Sequence, residues 1–186
     1  MTEVRILALL GSLRAESVNR QILDLAGRVG PENAALTRFE GLETLPFYNE
    51  DLDSQGDPTG SKVPAPVVAL RVAAAEADAV LIVTPEYNGS IPALVKNAID
   101  WLSRPYGDSA LSGKPAAVIG AALGRHGGLW AHDETRKALG VAGARVVEDI
   151  TLSMPLSALA GSALAENAEL AASVREAVEV LVAAVR

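Results

Sequence analysis

The run AVLIVTPEYNGSIPALVKNAIDWL, residues 79–102, begins as a strand and ends as a helix. Ala79 to Thr84 is a short apolar segment rich in β-branched residues and stopped by Pro85, the pattern of a parallel strand buried on both faces. From Pro92 onward the spacing turns helical: Pro92 suits a first helical turn, and Leu94, Ala98, Ile99 and Leu102 fall on one face. Pro85-Glu86-Tyr87-Asn88-Gly89-Ser90 therefore joins the carboxyl end of a strand to a helix, the place where open α/β sheets take their ligands. Backbone donors, an aromatic face, amide and hydroxyl side chains and a glycine that permits close approach make this loop a socket for a flat polar ring.

The same alternation extends in both directions. Ile6 to Leu10 reads as a first buried strand closed by Gly11, and Val18, Ile22, Leu25, Ala26 and Val29 recur at helical spacing as far as Gly30-Pro31. Ala35 to Phe39 reads as a second strand near an edge. Gly41 to Pro66, rich in acidic and turn-forming residues, reads as a long surface loop carrying Leu45-Pro46-Phe47-Tyr48. Val67 to Ala77 suits a helix packed on the sheet, Ala116 to Ala122 a fourth strand, the stretch to about Leu139 a further helix, and Ala144 to Leu152 a fifth strand. Leu170, Val174, Val178, Leu181 and Val185 mark an amphipathic closing helix within Glu166 to Arg186. Strands alternating with helices imply one α/β domain over residues 1–186, a flavodoxin-like three-layer sandwich with a five-stranded parallel sheet in the order 2-1-3-4-5.

Composition narrows the chemistry. With 16 basic against 23 acidic residues the chain carries a net charge of −7, which argues against nucleic acid and against an anionic membrane surface. Any bound anion needs a local site. The absence of cysteine removes disulfides, thiolate metal sites and cysteine nucleophiles, and suits a cytoplasmic location. The opening MTEVRILALLGSLR reads as a first strand rather than a signal peptide, and no apolar run reaches the roughly 18 residues of a membrane span.

One local anion site suggests itself. Gly11-Ser12-Leu13-Arg14-Ala15-Glu16-Ser17-Val18-Asn19 lies just ahead of the first helix, where free N–H groups and the helix dipole favour negative charge. Ser12, Ser17 and Asn19 offer hydrogen-bond donors and Arg14 offers charge. The segment lacks the second glycine of a dinucleotide fingerprint, and Glu16-Ser17 stands where a P-loop needs Gly-Lys. A monophosphate held by hydroxyls and amides fits the segment; so does a plainer reading in which Ser17 caps the helix and Arg14 is a solvated charge.

Together the two loops resemble the NADPH-dependent FMN reductase family, which includes quinone, azo-dye and chromate reductases of flavodoxin-like fold. The resemblance is carried by Gly11-Ser12-Leu13-Arg14 with Ser17 and Asn19, by Leu45-Pro46-Phe47-Tyr48-Asn49-Glu50-Asp51-Leu52, and by Thr84 through Trp101. It implies FMN as cofactor, with its phosphate on Ser12, Arg14, Ser17 and Asn19 and its ring against Pro85, Glu86, Tyr87, Asn88 and Gly89. Gly124, in the loop Leu123-Gly124-Arg125-His126-Gly127-Gly128, would help wall the ring through its main chain. NADPH or NADH would be the co-substrate, a quinone, azo compound, flavin or similar small molecule the acceptor, and a homodimer or homotetramer the assembly. Similar members often carry serines where this chain has Ala121 and Ala122, and a glutamine where it has His132.

No catalytic side chain is expected, because a flavin carries hydride chemistry itself while the protein supplies orientation, electrostatics and access. Backbone N–H groups from Glu86 to Gly89 are candidates for stabilising negative charge on the ring. The alternative is an FMN-binding electron carrier or redox sensor without reductase activity of its own. No metal site is expected: His126 and His132 are six residues apart, and the calcium-loop-like start at Asp51 meets Lys62 at its twelfth position. There is no GxSxG motif to suggest a hydrolase.

Overall fold

In the computed structural model the described residues are 2–53, 63–159 and 164–185. Six strands, β1 (Val4–Leu10), β2 (Ala34–Arg38), β3 (Ala79–Val83), β4 (Pro115–Ala122), β5 (Arg145–Val146) and β6 (Ser153–Pro155), form a parallel sheet. Its order is β2-β1-β3-β4-β5, with β6 also on β4. Five helices alternate with them: α1 (Val18–Val29), α2 (Ala65–Glu76), α3 (Ala93–Leu102), α4 (Leu129–Val141) and α5 (Ala168–Ala183). The chain leaves β1 for β2 on one side and returns to β3 on the other, so the strand order reverses between β1 and β3. Ligands of doubly wound sheets bind at such a reversal.

The layers follow from strand periodicity. Val4, Ile6, Ala8 and Leu10 with Leu81, Val83, Ala117 and Ile119 face α1 and α5. Leu7, Leu9, Val80, Ile82, Ala116 and Val118 face α2, α3 and α4. All five residues of β3 are fully buried, as expected of a central parallel strand. Asn167 caps α5 by accepting from the Leu170 N–H at 2.9 Å, and Pro92, expected in the first turn of α3, stands at its N-cap.

Two expectations are revised. The single fifth strand over Ala144 to Leu152 is instead two short pieces: β5 pairs with Pro115 and Ala116, β6 with Gly120 to Ala122. A turn closed by the Ile150 N–H on the Val147 carbonyl at 3.2 Å separates them. Glu148-Asp149 sits in that turn, where two carboxylates remain exposed. The gap leaves the Val118 carbonyl of β4 facing no strand, and Arg136 of α4 fills it, donating to Val118 O at 3.2 Å and Ile150 O at 3.0 Å. A buried carbonyl without such a donor would cost about 1–3 kcal/mol.

The segment after β2, expected as one surface loop, is built from 3-10 turns over Leu42–Thr44 and Glu50–Leu52 and is bolted to α2 and α3. Asn97 and Trp101 both donate to the Pro46 carbonyl, at 3.0 and 2.8 Å, and the Tyr48 N–H donates to Asn97 Oδ1 at 2.8 Å. Tyr48 meets Trp101 edge-on at 4.9 Å, and Arg71 grips Asp53 with two nitrogens at 3.1 and 3.0 Å. Trp101 is fully buried and thus a core residue. The calcium-like stretch runs largely through residues 54–62, outside the described residues.

Candidate functional site

At the carboxyl ends of β1, β3 and β4 three loops converge, and each is held by a contact that crosses the sheet. Gly11, ending β1, lies against Thr84: a Cβ there would sit 2.2 Å from Thr84 Oγ1 and 2.9 Å from Val95 Cγ2. Only glycine allows β1 and β3 to stay that close. The next residues bring Ser12 and Ser17 together as buried hydroxyls, with Leu13, Arg14, Ala15 and Glu16 exposed between them.

Ser17 Oγ is the N-cap of α1 and accepts from the Arg20 N–H at 3.4 Å, which leaves its hydroxyl hydrogen for another partner. Capping therefore leaves its donor free. Asn19 has a structural role beside the one expected of it. Its carboxamide turns to the sheet, donating to the Ala121 carbonyl at 2.9 Å and accepting from the Ala121 N–H at 2.8 Å. It clamps α1 to β4 with Oδ1 and one amide hydrogen, and the second hydrogen on Nδ2 is not used by the clamp. Ser12, Arg14, Ser17 and Asn19 with the first N–H groups of α1 are donors of the kind a phosphomonoester takes.

The loop after β3 is a tight hairpin. Tyr87 and Ser90 exchange N–H···O bonds of 3.2 and 3.1 Å, and Asn88 and Gly89 both have positive φ, 54° and 72°. Two such residues in sequence define a type I′ turn, the geometry that Asn-Gly favours. The Tyr87 N–H is consumed within the hairpin, so the candidate donors narrow to the N–H groups of Glu86, Asn88 and Gly89. Pro85 is buried at the root, Glu86 is half-buried, and Tyr87 and Asn88 are exposed.

Two carboxylates tie the hairpin to α4. Glu86 Oε2 accepts from the Ala131 N–H at 3.2 Å, in the first turn of α4 where the helix dipole favours negative charge. Glu134 Oε2 accepts from Ser90 Oγ at 2.6 Å and from the Ile91 N–H at 3.1 Å, and these bonds hold its carboxyl below the ordinary range. Neither link was visible in the sequence, since only the placement of α4 brings the partners together. The Asn-Gly signal for the turn was present and was read only as a close-approach glycine.

His132 occupies the junction behind the loops, fully buried. Its Nε2 lies 2.8 Å from the Thr84 carbonyl and its Nδ1 2.6 Å from Ser153 Oγ. The carbonyl can only accept, so Nε2 carries the hydrogen and Nδ1 receives the serine's. Burial pushes the imidazole below its ordinary value, partly offset by the Thr84 hydrogen bond. The histidine thus joins β3, β6 and α4. Ala121 and Ala122 are buried beside it, and Gly124, with no atom within 4 Å of a Cβ position, accepts from the Gly127 N–H at 3.0 Å. Gly127 and Gly128 have φ of 63° and 93°, and a Cβ on Gly127 would collide with the Met154 backbone at 2.4 Å.

The constellation is a set of buried hydroxyls ahead of α1 and a hairpin whose Glu86, Asn88 and Gly89 amides and Tyr87 ring are candidates for ligand contact. Both lie where the strand order reverses, a cradle that fits a flavin mononucleotide. Among the described residues no three His, Cys, Asp or Glu side chains cluster as metal ligands would, and no helix is long and apolar enough to cross a membrane.

Comparison with known proteins agrees. The family model described as NADPH-dependent FMN reductase matches residues 4–158. A quinone reductase of Pseudomonas putida is 42% identical over 134 residues, covering 72% of this chain and 68% of that protein. A 2-hydroxy-1,4-benzoquinone reductase of a Burkholderia species is 38% identical over 133 residues, with coverage of 72% and 68%. The solved structure of FerB, a flavoenzyme NAD(P)H:(acceptor) oxidoreductase from Paracoccus denitrificans, superposes with a TM-score of 0.85 at 30% identity, covering 98% of this chain and 97% of that one. The chain belongs to the NADPH-dependent FMN reductase family, as a flavodoxin-like oxidoreductase whose cofactors are FMN and NAD(P)H.

Proposed function

We propose that the protein oxidises NAD(P)H and reduces a small aromatic acceptor of the quinone type, with Ser12, Arg14, Ser17 and the start of α1 holding the FMN phosphate. Pro85, Glu86, Tyr87, Asn88, Gly89 and Gly124 would border its ring. Bound FMN supplies the two-electron chemistry. In balance, NADPH, one proton and a quinone give NADP⁺ and a hydroquinone. The chain's own residues bind and orient: the hydroxyls and Arg14 fix the phosphate end. The N–H groups of Glu86, Asn88 and Gly89 supply fixed dipoles where negative charge develops.

The observation that carries this reading is the pairing of the phosphate-sized donor set with the braced I′ hairpin at the reversal between β1 and β3. The names of the Pseudomonas and Burkholderia relatives support a quinone as acceptor. A cytoplasmic homodimer or homotetramer belongs to the same proposal. The assembly is supported by the open groove of about 820 Å³ between α3 and α4, flanked by the exposed Tyr106 and Val141. Light scattering at micromolar concentration tests the assembly.

The test of the activity is an anaerobic titration of FMN-reconstituted, desalted protein with NADPH, followed by a benzoquinone. Stoichiometric bleaching by NADPH and recovery of the yellow colour on adding the quinone is the expected result. Bound flavin that both NADPH and NADH leave oxidised overturns it and favours an electron carrier fed by a protein partner.

A further inference from the structure

Trp130 is 56% exposed although it lies in the first turn of α4, beside the hairpin. The indole is not loose. Its Cε3 and Cζ3 lie 3.3 and 3.7 Å from where a Cβ on Gly89 would stand, so the benzo edge rests on the tip of the I′ turn. The His126 ring sits 5.5 Å from it at a 37° tilt. Arg125 Nε donates to His126 Nε2 at 2.9 Å, which fixes the imidazole with its lone pair on the arginine and brings a cation to the rim. The indole therefore spans the gap between the hairpin and the glycine loop, the two walls assigned above to the flavin ring. Leu123 and Tyr87, 86% and 48% exposed, belong to these same two walls.

An indole anchored on one edge, with more than half its surface open beside a reaction cleft, is a stacking surface awaiting a planar partner. Offset stacking suits an electron-poor ring, and the neighbouring guanidinium suits the negative charge that builds on its oxygens during reduction. We propose that Trp130, supported by His126 and Arg125, is the platform of an acceptor subsite that selects planar aromatic oxidants such as naphthoquinones over non-planar ones. The proposal rests on the quinone-reductase reading above. The residue acts by binding and takes no part in bond making.

The experiment compares wild type, Trp130→Ala and Trp130→Phe, each FMN-reconstituted, at saturating NADPH with 1,4-naphthoquinone or ferricyanide as acceptor. Ferricyanide is octahedral and has no face to stack. Removing the indole should raise KM for naphthoquinone about 3- to 10-fold, the equivalent of one aromatic pair, with kcat little changed. KM for ferricyanide should hold, and Trp130→Phe should recover most of the loss. A second measurement does not depend on turnover. Trp101 is fully buried, so the exposed indole should dominate saturable quenching of tryptophan fluorescence by naphthoquinone, and Trp130→Phe should abolish it.

An unchanged naphthoquinone KM in Trp130→Ala, or equal rises for both acceptors, overturns the proposal; the second result would show only a loosened hairpin. Absence of saturable quenching overturns it as well. Failure of the quinone-reductase reading looks different: wild type itself would not turn over with NADPH, while the quenching arm would still report whether the platform binds the ring.

Discussion

Replacing Asn19 by alanine should be among the most damaging single changes near the site, because of what it does for the fold. Its carboxamide satisfies both the N–H and the C=O of Ala121, at 2.8 and 2.9 Å, in a position where Asn19 is 4% and Ala121 1% exposed. Water cannot readily replace it there. Two buried backbone groups losing their partners at about 1–3 kcal/mol each give a loss of roughly 2–6 kcal/mol. For a chain of this size that is a fall in Tm of roughly 4–24 °C. Urea unfolding of the apoprotein followed by circular dichroism measures it directly. An Asn19→Ala protein within about 0.5 kcal/mol of wild type, the ordinary scale of a surface substitution, would refute the reasoning.

Asn19→Asp sharpens the argument because it preserves shape. One carboxylate oxygen still accepts from the Ala121 N–H, but the other meets the Ala121 carbonyl that the amide had donated to. Burial and that carbonyl both disfavour the charged form, so the folded pKa of the new group rises above its unfolded value of about 3.9. A raised folded pKa means the protonated acid's contribution is complete below the unfolded value and is lost as pH rises through the folded one. The deficit of Asn19→Asp relative to wild type should therefore be small near about pH 4 and grow toward neutrality. A deficit independent of pH would show that the donor half of the clamp contributes nothing.

Two further perturbations test the scaffold behind the loops. His132→Gln should flatten the acid limb of stability. The histidine's folded pKa lies below its unfolded value of about 6.5, so its contribution is present above that value and is lost as pH falls through the folded one. Wild type should thus lose more stability than His132→Gln between about pH 7.5 and 5, measured by urea midpoints, and parallel curves would sink the assignment. Asp53→Asn leaves the Arg71 guanidinium, 19% exposed, without its 3% exposed carboxylate. Breaking one partner of a buried pair costs about 3–5 kcal/mol, and the residual exposure of Arg71 and the remaining amide acceptor bring this to roughly 2–4 kcal/mol. An unchanged urea midpoint would mean that the pair does not hold the 3-10 turn over Glu50–Leu52 to α2.

Whatever the sequence encodes locally was legible. The buried runs at Ile6 to Leu10, Ala79 to Thr84 and Ala116 to Ala122 became β1, β3 and β4, and the helical spacing from Val18 to Val29 became α1. Ser12 and Ser17 are buried on either side of the exposed stretch Leu13 to Glu16. The readings that needed correction depended on contacts distant in sequence. The clamp of Asn19 on Ala121 had no signal, because the two are 102 residues apart. The fifth strand looked continuous because nothing in Ala144 to Leu152 shows that Arg136 replaces a ladder bond. Glu134 had no signal, since a carboxylate at a helix surface is ordinarily a solvated charge until a hairpin is placed beside it.

These corrections share a cause. A parallel sheet that opens into a ligand site must stop its ladder before the loops begin, and each stopped strand leaves peptide groups without strand partners. Here buried side chains take up those groups: Asn19 at Ala121, His132 at Thr84, Arg136 at Val118. Each comes from a helix, so each also fixes a helix start or a loop relative to the sheet. In a protein whose chemistry is carried by a cofactor, this is where selection on geometry has to act, because orientation of the ring and its substrates is the main thing the chain contributes. The polar residues buried at this end of the sheet need not touch the flavin to matter. They fix the distance between the donor pocket at α1 and the hairpin after β3, and that distance determines whether one mononucleotide can reach both.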